Sequence, residues 1–158
     1  MAGVEVHRTG IAPEWIDYNG HLRDAYYGLI LSHAIDALMD RLGLDQGYRT
    51  RTGCTLYTLE MHIHYLREVK AAAIVAAEVR LLGADRKRLH AAFDLLVDGQ
   101  PEPAATAEVM LMHVRQAPEV SSQPFAPETV AAIEALRRAG ADLPPVRHGS
   151  RQMQLPQR

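Results

Sequence analysis

Cysteine is almost missing from this chain: of 158 residues only Cys54 carries a thiol. No disulfide can form within it, which excludes a disulfide-stapled scaffold and favours a reducing compartment. Aromatic residues are sparse at 6%, with a single Trp and two Phe. No stretch approaches the roughly 20 apolar residues of a membrane span, and the start Met-Ala-Gly-Val-Glu-Val-His-Arg has no apolar core of secretory type. An excess of one charge is also lacking. A net charge of -2 and a pI near 6.4 provide no basic field to attract nucleic acid. These absences lead to the expectation of a soluble, cytoplasmic protein with neither membrane nor nucleic acid as partner.

What is present is ordinary globular usage, 47% hydrophobic and 23% charged, enough for one real core and no more than one domain at this length. We expect the domain to span 1–140 and a polar, Pro-containing tail, 141–158, to be loosely ordered. Val4 to Val6 alternates as a short strand, and Thr9 to His21 follows as a structured loop. From Tyr26 to Leu42 apolar residues recur at Tyr27, Leu31, Ala34, Ile35, Leu38 and Leu42, the period of a helix, with Asp24 as cap and Gly43 as stop. The Gly-, Arg- and Thr-rich stretch Gly43 to Gly53 reads as a loop. Four alternating segments come next: Leu59 to Tyr65, Ala73 to Leu81, Leu89 to Val97, and Ala105 to Leu111. The turns between the last three, Gly83-Ala84-Asp85-Arg86 and Asp98-Gly99-Gln100-Pro101, are too short for parallel crossovers, so these strands pair antiparallel. A second helix, from about Glu128 to Ala139, places Val130, Ile133 and Leu136 on one face.

The densest group of reactive side chains is Trp15-Ile16-Asp17-Tyr18-Asn19-Gly20-His21, directly upstream of the long helix. Unpaired N–H groups at a helix start can stabilise a developing oxyanion, while the loop supplies a carboxylate and an imidazole. On spacing alone, Asp17 and Asn19 read equally well as turn residues satisfying their own backbone. His62 and His64 share one strand face with Glu60, but no HExxH, HxxEH or CxxC spacing accompanies them, so no metal site or other cofactor is expected. Ser32 and Cys54 lie in no Gly-x-Ser-x-Gly elbow and beside no evident base, which disfavours a serine or cysteine nucleophile.

The segment Asp17-Tyr18-Asn19-Gly20-His21-Leu22, followed by a helix containing Tyr26-Tyr27, resembles the Asp-x-x-Gly-His-Val segment of the 4-hydroxybenzoyl-CoA thioesterase-like hot-dog family. Asp-x-Asn-x-His is also similar to the active-site segment of plant acyl-ACP thioesterases. The stretch Tyr57 to Val69, with Tyr65-Leu66-Arg67-Glu68, resembles the family's central strand. Over Pro13 to Tyr27 the likeness is greatest to the betainyl-CoA thioesterases of bacterial carnitine breakdown. The chain departs from many relatives at Arg23-Asp24, where they carry Asn-Asn.

This resemblance implies an α+β hot-dog fold: an antiparallel sheet of five or six strands wrapped around the long helix, with the second helix outside. It implies an acyl-CoA thioesterase in which Asp17, Asn19, His21 and Glu68 carry catalysis. Asp17 would attack the thioester directly or activate water. A homodimer with active sites at the interface, or a tetramer of such units, is implied as well, with Glu68 from the second chain. A cationic betainyl group calls for an aromatic box, for which Trp15, Tyr18, Tyr26, Tyr27 and Tyr65 are the candidates, although core packing accounts for Tyr27 and Tyr65 too. Arg86, Lys87 and Arg88, in a turn where a solvated charge run is usual, are candidates to grip a CoA phosphate. Two rivals remain: a hot-dog enoyl-CoA hydratase, whose Asp-x-Asn-x-x-His is one residue longer than the spacing here, and a non-catalytic acyl-CoA-binding module.

Overall fold

A computed structural model describes residues 3–146 and Gly149. Strand β1 (Val4–Gly10) leads through a 3-10 turn, Pro13–Trp15, into helix α1 (Asp24–Arg41) and the short helix α2 (Gln46–Thr52). Strands β2 (Cys54–Tyr65), β3 (Ile74–Ala84), β4 (Arg88–Val97), β5 (Ala105–Arg115) and the two-residue β6 (Ser121–Ser122) follow, then helix α3 (Pro127–Ala139). All pairings are antiparallel, in the order β1-β3-β4-β5-β2, with β6 beside β5.

Helix α1 is held by its apolar stripe. Tyr27, Ile30, Leu31, Ala34, Ile35, Leu38 and Met39 are buried at spacings of three and four, which turns one face into the sheet. Facing it are the inward positions Val75, Ala77, Val79 and Leu81 of β3, Leu89, Ala91, Phe93 and Leu95 of β4, and Ala105, Ala107, Val109 and Leu111 of β5. Alanines among the larger side chains leave room for the helix to lie close to a curved sheet. Each fully buried Leu contributes about 1.5–3 kcal/mol. The polypeptide leaves α1 through Gly43 at φ +76°, a left-handed position suited to glycine.

Several elements differ from the sequence expectation. Asp24 is the first residue of α1 rather than its cap, which is Arg23, and its Oδ1 accepts from the N–H of Ala25. The expected loop 43–53 contains α2, capped by Asp45 accepting from the N–H of Tyr48 at 2.8 Å and ended by left-handed Gly53. Strand β2 starts five residues before Leu59, and a bulge between Thr58 and Glu60 breaks its alternation, leaving Leu59 53% exposed. Val130 is exposed, and Thr129 takes its place beside Ile133 and Leu136 on the buried face of α3. Of the expected loose tail, 147–148 and 150–158 lie outside the described residues. Pro144 is described, and its carbonyl accepts from the Arg80 guanidinium.

Candidate active site

The loop before α1 closes on itself as a miniature hairpin. The Asp17 N–H donates to the His21 carbonyl at 2.8 Å, the Gly20 N–H donates to the Asp17 carbonyl at 3.0 Å, and Ile16 bridges Leu22. Gly20 sits at φ +82°, which a side chain would strain. Two sutures fix this hairpin: the Leu22 N–H donates to the Val69 carbonyl at 2.7 Å, and the Arg23 N–H donates to the Trp15 carbonyl at 2.9 Å. His21 bridges Lys70 as well. The segment following β2 is thereby drawn against the loop.

Between them lies an open pocket of about 470 Å³, lined by Asp17, Tyr18, His21, Leu22, Arg23, Asp24, Tyr27, Tyr65, Leu66, Arg67 and Glu68. Three of the four expected catalytic side chains meet there. The His21 Nε2 lies 3.0 Å from Glu68 Oε2 within one chain. Asn19 stays outside, exposed at the hairpin tip, where its N–H donates to Asp17 Oδ1 at 2.8 Å.

Asp17 serves as both turn residue and pocket residue. Its Oδ1 accepts from the N–H groups of Asn19 and of His21, the latter at 3.2 Å. These bonds, chiefly that from His21, hold the carboxyl below its ordinary 3.8 despite partial desolvation. The side chain is therefore an anion at neutral pH.

Helix α1 presents fewer oxyanion donors than its position suggests. The N–H of Tyr26 bonds the Arg23 carbonyl at 3.0 Å and that of Ala25 bonds Asp24 Oδ1 at 2.9 Å. The Asp24 N–H has no partner among the described residues and is left as a donor.

The aromatics divide into two pairs. Trp15 and Tyr26 stack on each other, centroids 5.4 Å apart and planes 17° from parallel, and pack on the core without lining the pocket. They clamp the 3-10 turn to the first turn of α1. Tyr27 and Tyr65 meet edge to face inside the pocket, at 5.1 Å and 86°. Tyr18 is 92% exposed at its rim.

Arg86, Lys87 and Arg88 are not at this pocket. Arg88 pairs with Met112 of β5, whereas Tyr65 pairs with Ala105, roughly 24 Å away along the strand at about 3.4 Å per residue. The turn is occupied with itself: the Lys87 N–H and the Arg88 guanidinium draw Asp85 down to about 2, and Lys87 Nζ donates to Ser122 Oγ at 2.9 Å. The cations at the pocket are Arg23 and Arg67, which the sequence reading passed over. Each lay within a motif already singled out, Arg23-Asp24 as a departure from relatives and Arg67 beside Glu68. Glu60 and His62 form a 2.8 Å pair on β2, and no group of three His, Cys, Asp or Glu able to hold a metal occurs among the described residues.

Known proteins agree with this architecture. Residues 11–141 match the model of the Thioesterase-like superfamily. The chain is 48% identical over 139 residues to a betainyl-CoA thioesterase of Pseudomonas aeruginosa, covering 87% of this chain and 86% of that one. It is 42% identical over 137 residues to an L-carnitine dehydrogenase/betainyl-CoA thioesterase of Agrobacterium fabrum, spanning 86% of this chain but 26% of that longer protein. A Pseudomonas putida KT2440 protein provisionally assigned as a thioesterase superposes with TM-score 0.86 at 41% identity over 99% of both chains. A Staphylococcus aureus protein solved with CoA superposes at 0.85, with 26% identity over 99% of this chain and 98% of that one. The fold is thus the hot dog expected from the motifs, and the chain belongs to the thioesterase-like superfamily.

Proposed function

We propose that the chain hydrolyses betainyl-CoA to glycine betaine and CoA, as a step in carnitine degradation. The observation that carries this is a single pocket in which an ionised Asp17, the His21–Glu68 pair and the Tyr27–Tyr65 corner meet. The 48% identical Pseudomonas aeruginosa relative is named for this activity. The Agrobacterium fabrum relative is named for the same activity and for L-carnitine dehydrogenase.

In this reading the thioester oxygen accepts from the Asp24 N–H, and removing such a donor in comparable sites costs about 10²–10³ in rate. Asp17, ionised at neutral pH, is taken as the nucleophile. An Asp17 oxygen adds to the thioester carbon, the C–S bond breaks, and CoA leaves as thiolate. Water then cleaves the mixed anhydride, its proton passing to His21 while Glu68 Oε2 steadies the imidazole, and the Asp17 carboxylate is regenerated. Asn19 contributes through its backbone, holding Oδ1 of Asp17 in place. Arg23 and Arg67 at the pocket are suited to CoA phosphates.

The active unit is proposed to be a homodimer in a reducing cytoplasm. Strand β2 is an edge of 12 residues, with Tyr57 and Leu59 exposed, which supports pairing with a second copy. Size-exclusion chromatography with light scattering would return twice 17.5 kDa. The functional test is thiol release from a panel of betainyl-, acetyl-, aromatic and long-chain acyl-CoA. Preference for betainyl-CoA is expected. Equal turnover of uncharged acyl chains would remove the substrate assignment, and hydration of crotonyl-CoA with no hydrolysis of any thioester would remove the activity.

A further inference from the structure

We infer that the trimethylammonium group of the acyl chain is read by a subsite made of the Tyr65 ring face, the Tyr27 ring and the Asp24 carboxylate, and that Trp15 and Tyr26 take no part in it. The inference rests on the betainyl-CoA reading above and deepens it.

Chemistry constrains the location tightly. In a betainyl thioester the quaternary nitrogen is two bonds from the scissile carbon, so the cation subsite must adjoin the groups that attack and polarise the carbonyl. A quaternary ammonium offers no hydrogen-bond donor. What can bind it selectively is an aromatic face with a carboxylate nearby. Trp15 and Tyr26 fail this requirement because they stack on each other and lie outside the pocket. Tyr27 and Tyr65 meet it: their edge-to-face contact forms a corner within the pocket that also holds Asp17 and Asp24.

Asp24 is tied to this corner. The Tyr65 hydroxyl reaches the Asp24 carbonyl at 3.4 Å, and burial followed by the Asp24 charge pushes that hydroxyl above its ordinary value. One residue thus offers an N–H to the carbonyl oxygen and a carboxylate to the cation, which fits groups only three bonds apart. The pocket lining supports a cationic acyl group and an anionic CoA together, with Asp17, Asp24 and Glu68 against Arg23 and Arg67.

The test compares two substrates of the same shape. Betainyl-CoA and 3,3-dimethylbutanoyl-CoA differ by a quaternary nitrogen replaced with a quaternary carbon, so their kcat/KM ratio isolates the response to charge. The wild type should favour the cation. Tyr65→Leu should lower the ratio by about 3- to 30-fold, the range of a cation–π contact from exposed to desolvated. Tyr65→Phe keeps the ring face and should retain most of the preference, and Asp24→Asn should lower the ratio several-fold. Because Tyr65 is 54% exposed, these changes leave the core intact.

A wild type that hydrolyses both thioesters equally overturns the subsite while sparing the thioesterase. A wild type that cleaves neither overturns the function and the subsite together. A preference that survives Tyr65→Leu and Asp24→Asn unchanged places the discrimination elsewhere, and so does one that Tyr65→Phe abolishes as fully as Tyr65→Leu.

Discussion

Two histidines sit at opposite ends of the same sheet, and their surroundings separate a reactive group from a structural one. His113, near the far end of β5, is 1% exposed and saturated. Its Nε2 meets the Tyr48 hydroxyl at 3.0 Å, its Nδ1 meets the Gln123 carbonyl at 2.9 Å, and Phe125 stacks on its ring at 5.1 Å. His21 pairs on one side with Glu68 and opens on the other into a pocket shared with an anionic carboxylate and an unpaired helix N–H. A ring whose bonds are all internal fixes a structure. One held by a single side chain at the edge of a cavity keeps capacity for a proton from substrate or water.

That contrast can be broken from either side. His21→Ala is expected to lower kcat for betainyl-CoA by about 10²–10⁴, the usual range for a group that moves a proton in the reaction, with Tm nearly unchanged. A stability loss in place of a rate loss would put His21 in the same class as His113. His113→Ala should do the converse, costing about 1–3 kcal/mol because the buried Tyr48 hydroxyl is left without its partner, while kcat stays near wild type. Urea denaturation and thiol release on one preparation check both.

Cations at the two ends form a parallel comparison of smaller size. Arg67→Ala should raise KM for CoA thioesters several-fold, roughly 1 kcal/mol for a solvent-facing charge-assisted contact, and Lys87→Ala should leave KM alone. If Lys87→Ala raises KM more than Arg67→Ala does, the β3–β4 turn takes part in CoA binding, reaching a pocket other than that of its own chain.

The smallest effect is one of pH. Asp17 is held below its ordinary value, so its ionised form and the loop bonds it accepts persist above pH 3.8 and are lost only as pH falls through the lower folded value. Activity therefore has no limb from Asp17 between pH 5 and 8. An acid limb that moves when the Asp17 N–H contacts are altered, as by replacing Gly20, would contradict this.

Much of this arrangement was legible beforehand. Alternation located β3, β4 and β5 to within a few residues, and the three-and-four spacing located α1, because burial on one face leaves a periodic trace. Helix α2 left only Asp45 and Gly53, a cap and a stop around a span with one buried residue, Tyr48. The bulge at Leu59 shifts a period without any mark in composition. At the site, Asp17, His21 and Glu68 were visible as motif residues, yet 47 positions separate His21 from Glu68, and it is the Leu22–Val69 suture and the His21–Lys70 bridge that bring them together. The aromatics show the limit most plainly. Five rings near one carboxylate read as a single box, and which rings stack on each other depends on torsions that spacing does not carry.

Asp17→Asn tests the proposed nucleophile with little disturbance to the loop, since the amide oxygen can accept from the same two N–H groups. Thiol release from betainyl-CoA should fall by about 10³ or more in kcat/KM with an unchanged melting temperature. Retention of wild-type kcat/KM by a folded Asp17→Asn protein would reduce Asp17 to a turn residue and place the chemistry elsewhere.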